Sequence, residues 1–541
     1  MAGRAVRIWT IGMSSVGVAI SVQAMPVGDT SIGVNGIDAL RLQQAPYNLT
    51  GKKIAIGQVE IGRPVKFGVD KAANSNRVIS VTQVFFRNQS AKTNTNLDTH
   101  AAQVASVMIG NSKAVRGVAP NARLYSSAAA TPRRGGQPEE CLSTQHVAQQ
   151  NGGDVRAVNF SFGEALQDDP RSNARLDGNA LLTLCIDWSA RVHNVLYAIA
   201  GNQGKGGIPI PTDTYNGMTI SFTRQVGKLY SKIDFSNIGD TTPRILKRND
   251  GVETSLGGRR SISITAPGSK IEVANLKGEE SSTIGSSFAA PHVTATVALL
   301  QEFSDRQLRT SCKRGTGCQL PWTTDARRHE VMKAVLMNSA DKIKDNGDNR
   351  ALGMTRTILE KSNQTWLDSD AYKNPKIPLN IQMGAGQLNA FRALQQFKSG
   401  QRTPGTVPAI GWNYGKIEAA KPFQDYVIEQ PLLQGSYVSA TLAWDRFVEL
   451  NDRNKNGEYD LGETFRDRGL NQLDLYLMRV EDNDIRKSIW SSISDIDSVK
   501  HIFHPVPATG RYKIRVVFRN RVNEPTQAYA LAWWSAPSQK P

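Results

Sequence analysis

The sequence predicts a doubly wound α/β domain with a mostly parallel sheet, followed by a smaller antiparallel β-sandwich. Three observations carry this expectation. Short, nearly unbroken apolar runs alternate with helical patterns from Lys52 to about Phe397. The alternation stops at a Pro/Gly-rich stretch, QRTPGTVPAIGW, that begins at Gln401. Beyond it the runs become strictly period-two. Unbroken apolar runs suit strands buried on both faces of a parallel sheet, whereas period-two alternation suits a half-buried antiparallel sheet.

In the first region KIAIGQVEI, RVISVTQVFF, ARLYSSAAA, VRAVNFSF, NVLYAIAG, GMTISFT and SISITAPG read as strands. Between them, residues 100–109, 140–150, 178–191, 288–303 and 328–337 read as helices. Strand and helix in alternation predict a sheet with helices on both faces. In the second region SYVSATLAW, QLDLYLMRV, RYKIRVVF and AYALAWW predict the sandwich. The expected organisation is therefore a cleavable N-terminal segment over 1–24, the α/β domain over 25–400, a linker over 401–411 and the sandwich over 412–541.

Residues 1–24 do not read as part of a fold. Arg4 and Arg7 make a short basic start, Ile8 to Val22 is mostly apolar, and Val22-Gln23-Ala24 supplies small residues for cleavage. This is the pattern of an export signal, with an ordinary N-terminal helix as the alternative. No other stretch approaches a membrane span, so the expectation is an exported chain, periplasmic or extracellular. The chain has 541 residues, 39% hydrophobic and 21% charged, as in ordinary globular proteins. Its net charge of +17 is scattered in short pairs such as Arg133-Arg134 and Arg259-Arg260. No aromatic-interleaved basic stripe accompanies them, so no nucleic-acid partner is expected. Oligomeric state is not legible.

Of the four cysteines, Cys312 and Cys318 bracket a small loop, CKRGTGC, whose closure would contribute roughly 2 kcal/mol. Cys141 and Cys185 lie in helical runs and pair if those helices are neighbours; otherwise they are two buried thiols. Their spacing fits no zinc pattern.

Ser287 stands in GSSFAAPH at the start of an apolar helix, where free N–H groups and the helix dipole favour developing negative charge. Alone it would read as an N-cap serine. It does not stand alone. DTHAAQVASVMIG opens a second small-residue helix with His100, GVAPNARLY follows at Gly117, and AIAGNQG places Asn202 after a strand.

These motifs, in this order, resemble the subtilisin-like serine peptidases, the subtilases, from about residue 40 to 397. Asn159 to Gly163, Ala266 to Gly268, Lys333 to Ala340 and Gly384 to Ala390 match further family segments; Ser286 replaces the usual Thr. The resemblance implies a serine endopeptidase acting on proteins or peptides, with Ser287 as nucleophile and His100 as base. It makes Asn202 an oxyanion donor and requires no catalytic metal. Ser161, Phe162 and Gly163, with Ala200 and Gly201, match segments that line the first specificity pocket, where a peptide adds as a strand. At the family's Asp position this chain has Glu60, in Ile56-Gly57-Gln58-Val59-Glu60-Ile61-Gly62. A glutamate can orient the histidine; Asp98 is the nearest competitor. If Glu60 fails, the alternative is an inactive binding module on the same fold. A peptide ligase would use the same acyl-enzyme. Met25 to Lys52 is shorter than the family's usual pro-segment, so restraint by that route is not expected. His292 reads as a packing residue. His146, His193, His329, His501 and His504 lack supporting neighbours and read as surface or satisfied structural histidines.

In the second domain Asp452, Asn454, Asn456, Glu458, Asp460 and Glu463 fit an EF-hand-type loop, with Gly457 at its sharp turn. Glu458 would offer its backbone carbonyl. The expectation is a structural calcium in a sandwich loop.

Overall fold

The computed structural model describes residues 30–537 apart from 131–134, 202–209, 227–228, 235–255 and 314–316. The predicted export signal, Asn202 and the Arg133-Arg134 pair lie outside the described residues.

The first domain is built on one sheet: β1 Ala55–Glu60, β2 Gln83–Phe86, β3 Gln89–Ser90, β4 Arg123–Ala128, β5 Val155–Phe160, β6 Leu196–Ala200, β7 Met218–Val226, β8 Leu229–Asp234 and β9 Ile262–Pro267. Its order is β3-β2-β4-β1-β5-β6-β7-β8, with β9 also paired to β7. All pairs are parallel except the edge pairs β2–β3 and β7–β8. The α/β expectation holds strand by strand, and the reason is burial. Every residue of β1, β5, β6 and β9 is buried, because helices cover both faces and leave no solvent side to mark with polar residues.

From β1 the chain moves outward through β2 to β4 on one side, then returns to place β5 on the other. The strand order therefore reverses between β1 and β5, and a crevice opens beyond their carboxyl ends. Glu60 is the last residue of β1. The helix bearing His100, Thr99–Ile109, packs on the helix that follows Ser287, Ala290–Ser311. Gln137–Ala148 and Leu181–His193 pack together and are tied by Cys141–Cys185; the second disulfide is Cys312–Cys318. Residues 30–52 belong to the same body. Ile32, Ile37, Leu42 and Leu49 lie in its core, and Glu302 of the long helix accepts from the N–H groups of Thr50, Gly51 and Lys52.

The second domain is a sandwich. One sheet runs Gly405–Val407, Phe423–Ile428, Tyr512–Asn520, Gln472–Arg479, Trp490–Ser492; the other runs Ile410–Glu418, Thr526–Ser535, Tyr437–Ala443, Val499–Pro505. The stretch 401–411 is more than a linker: it holds the edge strand Gly405–Val407, and Ile410 already begins the next. Three residues beside Pro and Gly show no alternation, which hides that strand from a periodicity reading.

The two domains share a core. Helix His329–Asn338 packs against Tyr437–Ala443 and Thr526–Ser535, and Asn338 Oδ1 accepts from Ser439 and Thr441 at 2.8 and 3.0 Å. Arg446 reaches 259 residues back to Asp187, its guanidinium 2.6 Å from the carboxylate, both side chains buried. His329 is no surface residue and does have neighbours. It lies buried between Glu330 and Asp445, 3.1 Å from each carboxylate. The charge of those two carboxylates overcomes burial and raises its pKa. His501 is likewise buried against Thr441, and His504 stacks on Trp490.

Candidate active site

The site assembles at the crevice. His100 sits in the first turn of its helix, which Asp98 caps by accepting from the N–H groups of His100 and Ala101 at 3.3 and 3.1 Å. Those capping bonds turn the Asp98 carboxylate to the backbone of its own helix. Glu60, not Asp98, faces the imidazole, with Oε2 3.4 Å from His100 Nδ1. Gly62 makes the approach possible: a Cβ there would meet Asp98 Cβ at 2.4 Å.

Glu60 is buried and the His100 side chain is 37% exposed, so the pair joins the protein interior to the open cleft. Burial raises the Glu60 pKa, a shift that the charge and hydrogen bond of His100 reduce without reversing. For His100, burial opposes the charged form, but the charge and hydrogen bond of Glu60, with the charge of Asp98, outweigh it, so its pKa is raised.

Ser287 does not cap its helix. It lies in a separate 3-10 turn, Ser286–Phe288, ahead of Ala290–Ser311. Gly285 enters that turn at φ 150°, ψ 160°, a conformation essentially reserved for glycine. Pro291 falls in the first helical turn, where its missing N–H costs nothing. The His100 ring lies edge-on to Phe288, 5.6 Å between centroids, which places the imidazole beside the turn that holds Ser287. Ser287 Oγ donates to the Ser161 carbonyl at 3.1 Å, and Ser161 Oγ donates to the Ser287 carbonyl at 2.8 Å. Ser287 is thus pinned to the first residue beyond β5. Phe162 stacks on Phe160, and Gly163 is exposed at the rim.

On the other side Ala200 ends β6, and the Gly201 N–H donates to Ile220. Ser286 donates its hydroxyl to the Gly201 carbonyl. This hydroxyl therefore fastens the end of β6 to the nucleophile turn, a role its sequence position did not reveal. Asn202 follows directly, outside the described residues. His292 packs as expected: its ring is buried between the Phe288 carbonyl and Ser31 Oγ, and burial pushes its pKa down to about 4. Together these residues provide a hydroxyl, a buried carboxylate behind an imidazole, and an extended edge for a peptide.

The loop 452–463 joins the two strands of a hairpin, Val448–Asn451 and Thr464–Asp467. Asp452 accepts from the N–H groups of Lys455 and Gly457, and Glu463 accepts from those of Arg453 and Asp460. The amides of Asn454 and Asn456 both donate to Asp460 Oδ2. Carboxylates at the first, ninth and twelfth positions thus each accept from within this loop, with Gly457 at φ 79°.

The family model described as "Subtilase family" matches residues 47–355. No curated protein matches the chain. Among solved structures, that of the prenylagaramide maturation protease PagA is similar at 17% identity and a TM-score of 0.38. It covers 64% of this chain and 93% of that one. No helix among the described residues is long and apolar enough to cross a membrane.

Proposed function

The chain belongs to the subtilase family, and from that premise we propose that it is an exported serine endopeptidase working through an acyl-enzyme on Ser287. The observation that carries the reading is the buried Glu60 behind the His100 ring, beside the nucleophile turn. A serine hydroxyl attacks a peptide carbonyl only when a base removes its proton. His100 takes that proton and returns it to the departing amine; Glu60 holds the ring by its Nδ1 side and stabilises the imidazolium. The Ser287 N–H and Asn202, the latter by family likeness, donate to the oxyanion. The peptide lies extended along Ser161 to Gly163 and Ala200-Gly201. Export is supported by the two disulfides and by the composition of residues 1–24.

A fluorophosphonate probe tests the reading. Folded protein is expected to be labelled, with the adduct on Ser287. Absence of labelling, or labelling that persists in Ser287→Ala, points instead to a binding module on the same fold. Product analysis with an added amine nucleophile distinguishes hydrolysis from peptide ligation.

The residues of the 452–463 loop fit calcium: hard oxygen donors at the required positions and a glycine at the turn. Asp452, Asn454, Asn456, Asp460 and Glu463 would hold it by side chains, Glu458 by its carbonyl. Tyr459 of this loop exchanges hydrogen bonds with Gln145 of the disulfide-tied helix pair, so the ion would brace one domain against the other. At calcium a hundredfold above its Kd the fold gains about 2.7 kcal/mol. Melting temperature is therefore expected to rise on calcium addition in wild type and not in Glu463→Gln. An unchanged wild-type melt counts against the site.

A further inference from the structure

A glutamate in place of aspartate moves the carboxylate one methylene further from the backbone, and something must fix where that longer arm points. Its contact with His100 Nδ1, at 3.4 Å, is longer than a well-formed charge-assisted hydrogen bond. Its other oxygen, Oε1, is buried with no hydrogen-bond partner. The carboxylate is therefore not held by a ring of donors of its own.

Two residues back on β1, and hence on the same face of the strand, stands Gln58. It is fully buried. Its Nε2 donates to the carbonyl of Ala101, the residue after His100, at 2.9 Å. Its Oε1 accepts from Ser126 Oγ on β4 at 3.2 Å. One side chain thus links β1, β4 and the start of the His100 helix. Its amide also lies beside the Glu60 carboxylate and lowers that group's pKa somewhat, although it forms no full hydrogen bond to Oε1. A glutamine is costly in a buried strand unless its amide is satisfied. Here both ends of the amide are used: one holds the first turn of the His100 helix, the other ties β1, the strand of Glu60, to β4.

We infer that Gln58 is a positioning residue that sets the distance between Glu60 and the His100 ring, so that the longer acid can serve as the orienting group. It touches neither substrate nor the reacting atoms; it acts through Glu60 and the first turn of the His100 helix. The inference rests on the peptidase reading, and the experiment separates the two.

Gln58→Leu keeps the bulk and removes both hydrogen bonds. A displacement of this kind costs about 10- to 100-fold in kcat, and KM is expected to stay near the wild-type value. The decisive measurement is the same substitution in a Glu60→Gln background, read as the rate at which a fluorophosphonate phosphonylates Ser287 with loss of fluoride. A residue acting through the Glu60 carboxylate loses its effect when that carboxylate is gone, because the two act as a unit. A merely structural glutamine costs the same in both backgrounds, and that result overturns the inference. So does a Gln58→Leu enzyme of wild-type kcat. If Gln58→Leu fails to fold, Ser126→Ala, which releases only the far end of the amide, is expected to show a smaller loss. That loss too should vanish with Glu60→Gln. If wild type itself is not labelled, the peptidase reading fails; if wild type is labelled and the variants are additive, only the role of Gln58 fails.

Discussion

Ser287→Ala is expected to lower turnover of a peptide substrate on the order of 10⁶-fold, leaving what binding and oxyanion stabilisation achieve without a nucleophile. The change removes one hydroxyl whose bond is to the Ser161 carbonyl. Such a bond is worth about 1 kcal/mol, so the melting temperature is expected to stay nearly constant. Hydrolysis of a fluorogenic peptide, measured beside a thermal melt, checks both halves. Wild-type-like turnover in the variant would exclude Ser287 as the nucleophile. Lost turnover together with a collapsed melt would trace the loss to folding.

Glu60→Gln is the second large effect, a fall in kcat on the order of 10³- to 10⁴-fold, in line with triads whose acid becomes an amide. The amide keeps the shape and removes the charge. It also changes pH dependence in a defined sense. His100 must be neutral to act as base, and its pKa is raised above the ordinary 6.5. The acid limb of kcat/KM in wild type therefore lies above that value. Without the Glu60 charge, burial prevails and the limb moves to lower pH, tempered only by Asp98. Stability follows the same linkage. Both groups have raised pKa values in the fold. The contribution of Glu60 is complete below about 4.5 and that of His100 below 6.5, and each is lost as pH climbs through the folded value. The variant is expected to lose less stability than wild type between neutral and alkaline pH, measurable by denaturant titration at several pH values. Unchanged turnover in Glu60→Gln would assign the orienting role to another carboxylate.

The parallel sheet was readable because burial on both faces writes each strand as an apolar run, and the motif residues were readable because each lies at the carboxyl end of a strand or the start of a helix. What escaped has physical reasons. Asp98 two residues before His100 looks like a rival acid; Asp ahead of a helix is equally an N-cap, and here it accepts from the first turn. Gln58 is one polar residue inside an apolar run, and nothing local says whether its amide faces helix or water. Ser286 passed as a conservative replacement until its partner, 85 residues away in sequence, came into contact. The pairing of Asp187 with Arg446 spans 259 residues and leaves no local pattern at either end.

That last contact bears on how the chain is made. Synthesis proceeds from the amino terminus, and domains ordinarily fold as they emerge. Here Asp187 waits for Arg446, and helix His329–Asn338 waits for Thr526–Ser535, the final strand. Glu60, His100 and Ser287 are thus synthesised before the framework around them is complete. A half-made chain carries Ser287 and His100 on a body with an uncovered apolar face, and with Asp187 held by Thr214, Tyr215 and Asn216 but lacking its arginine.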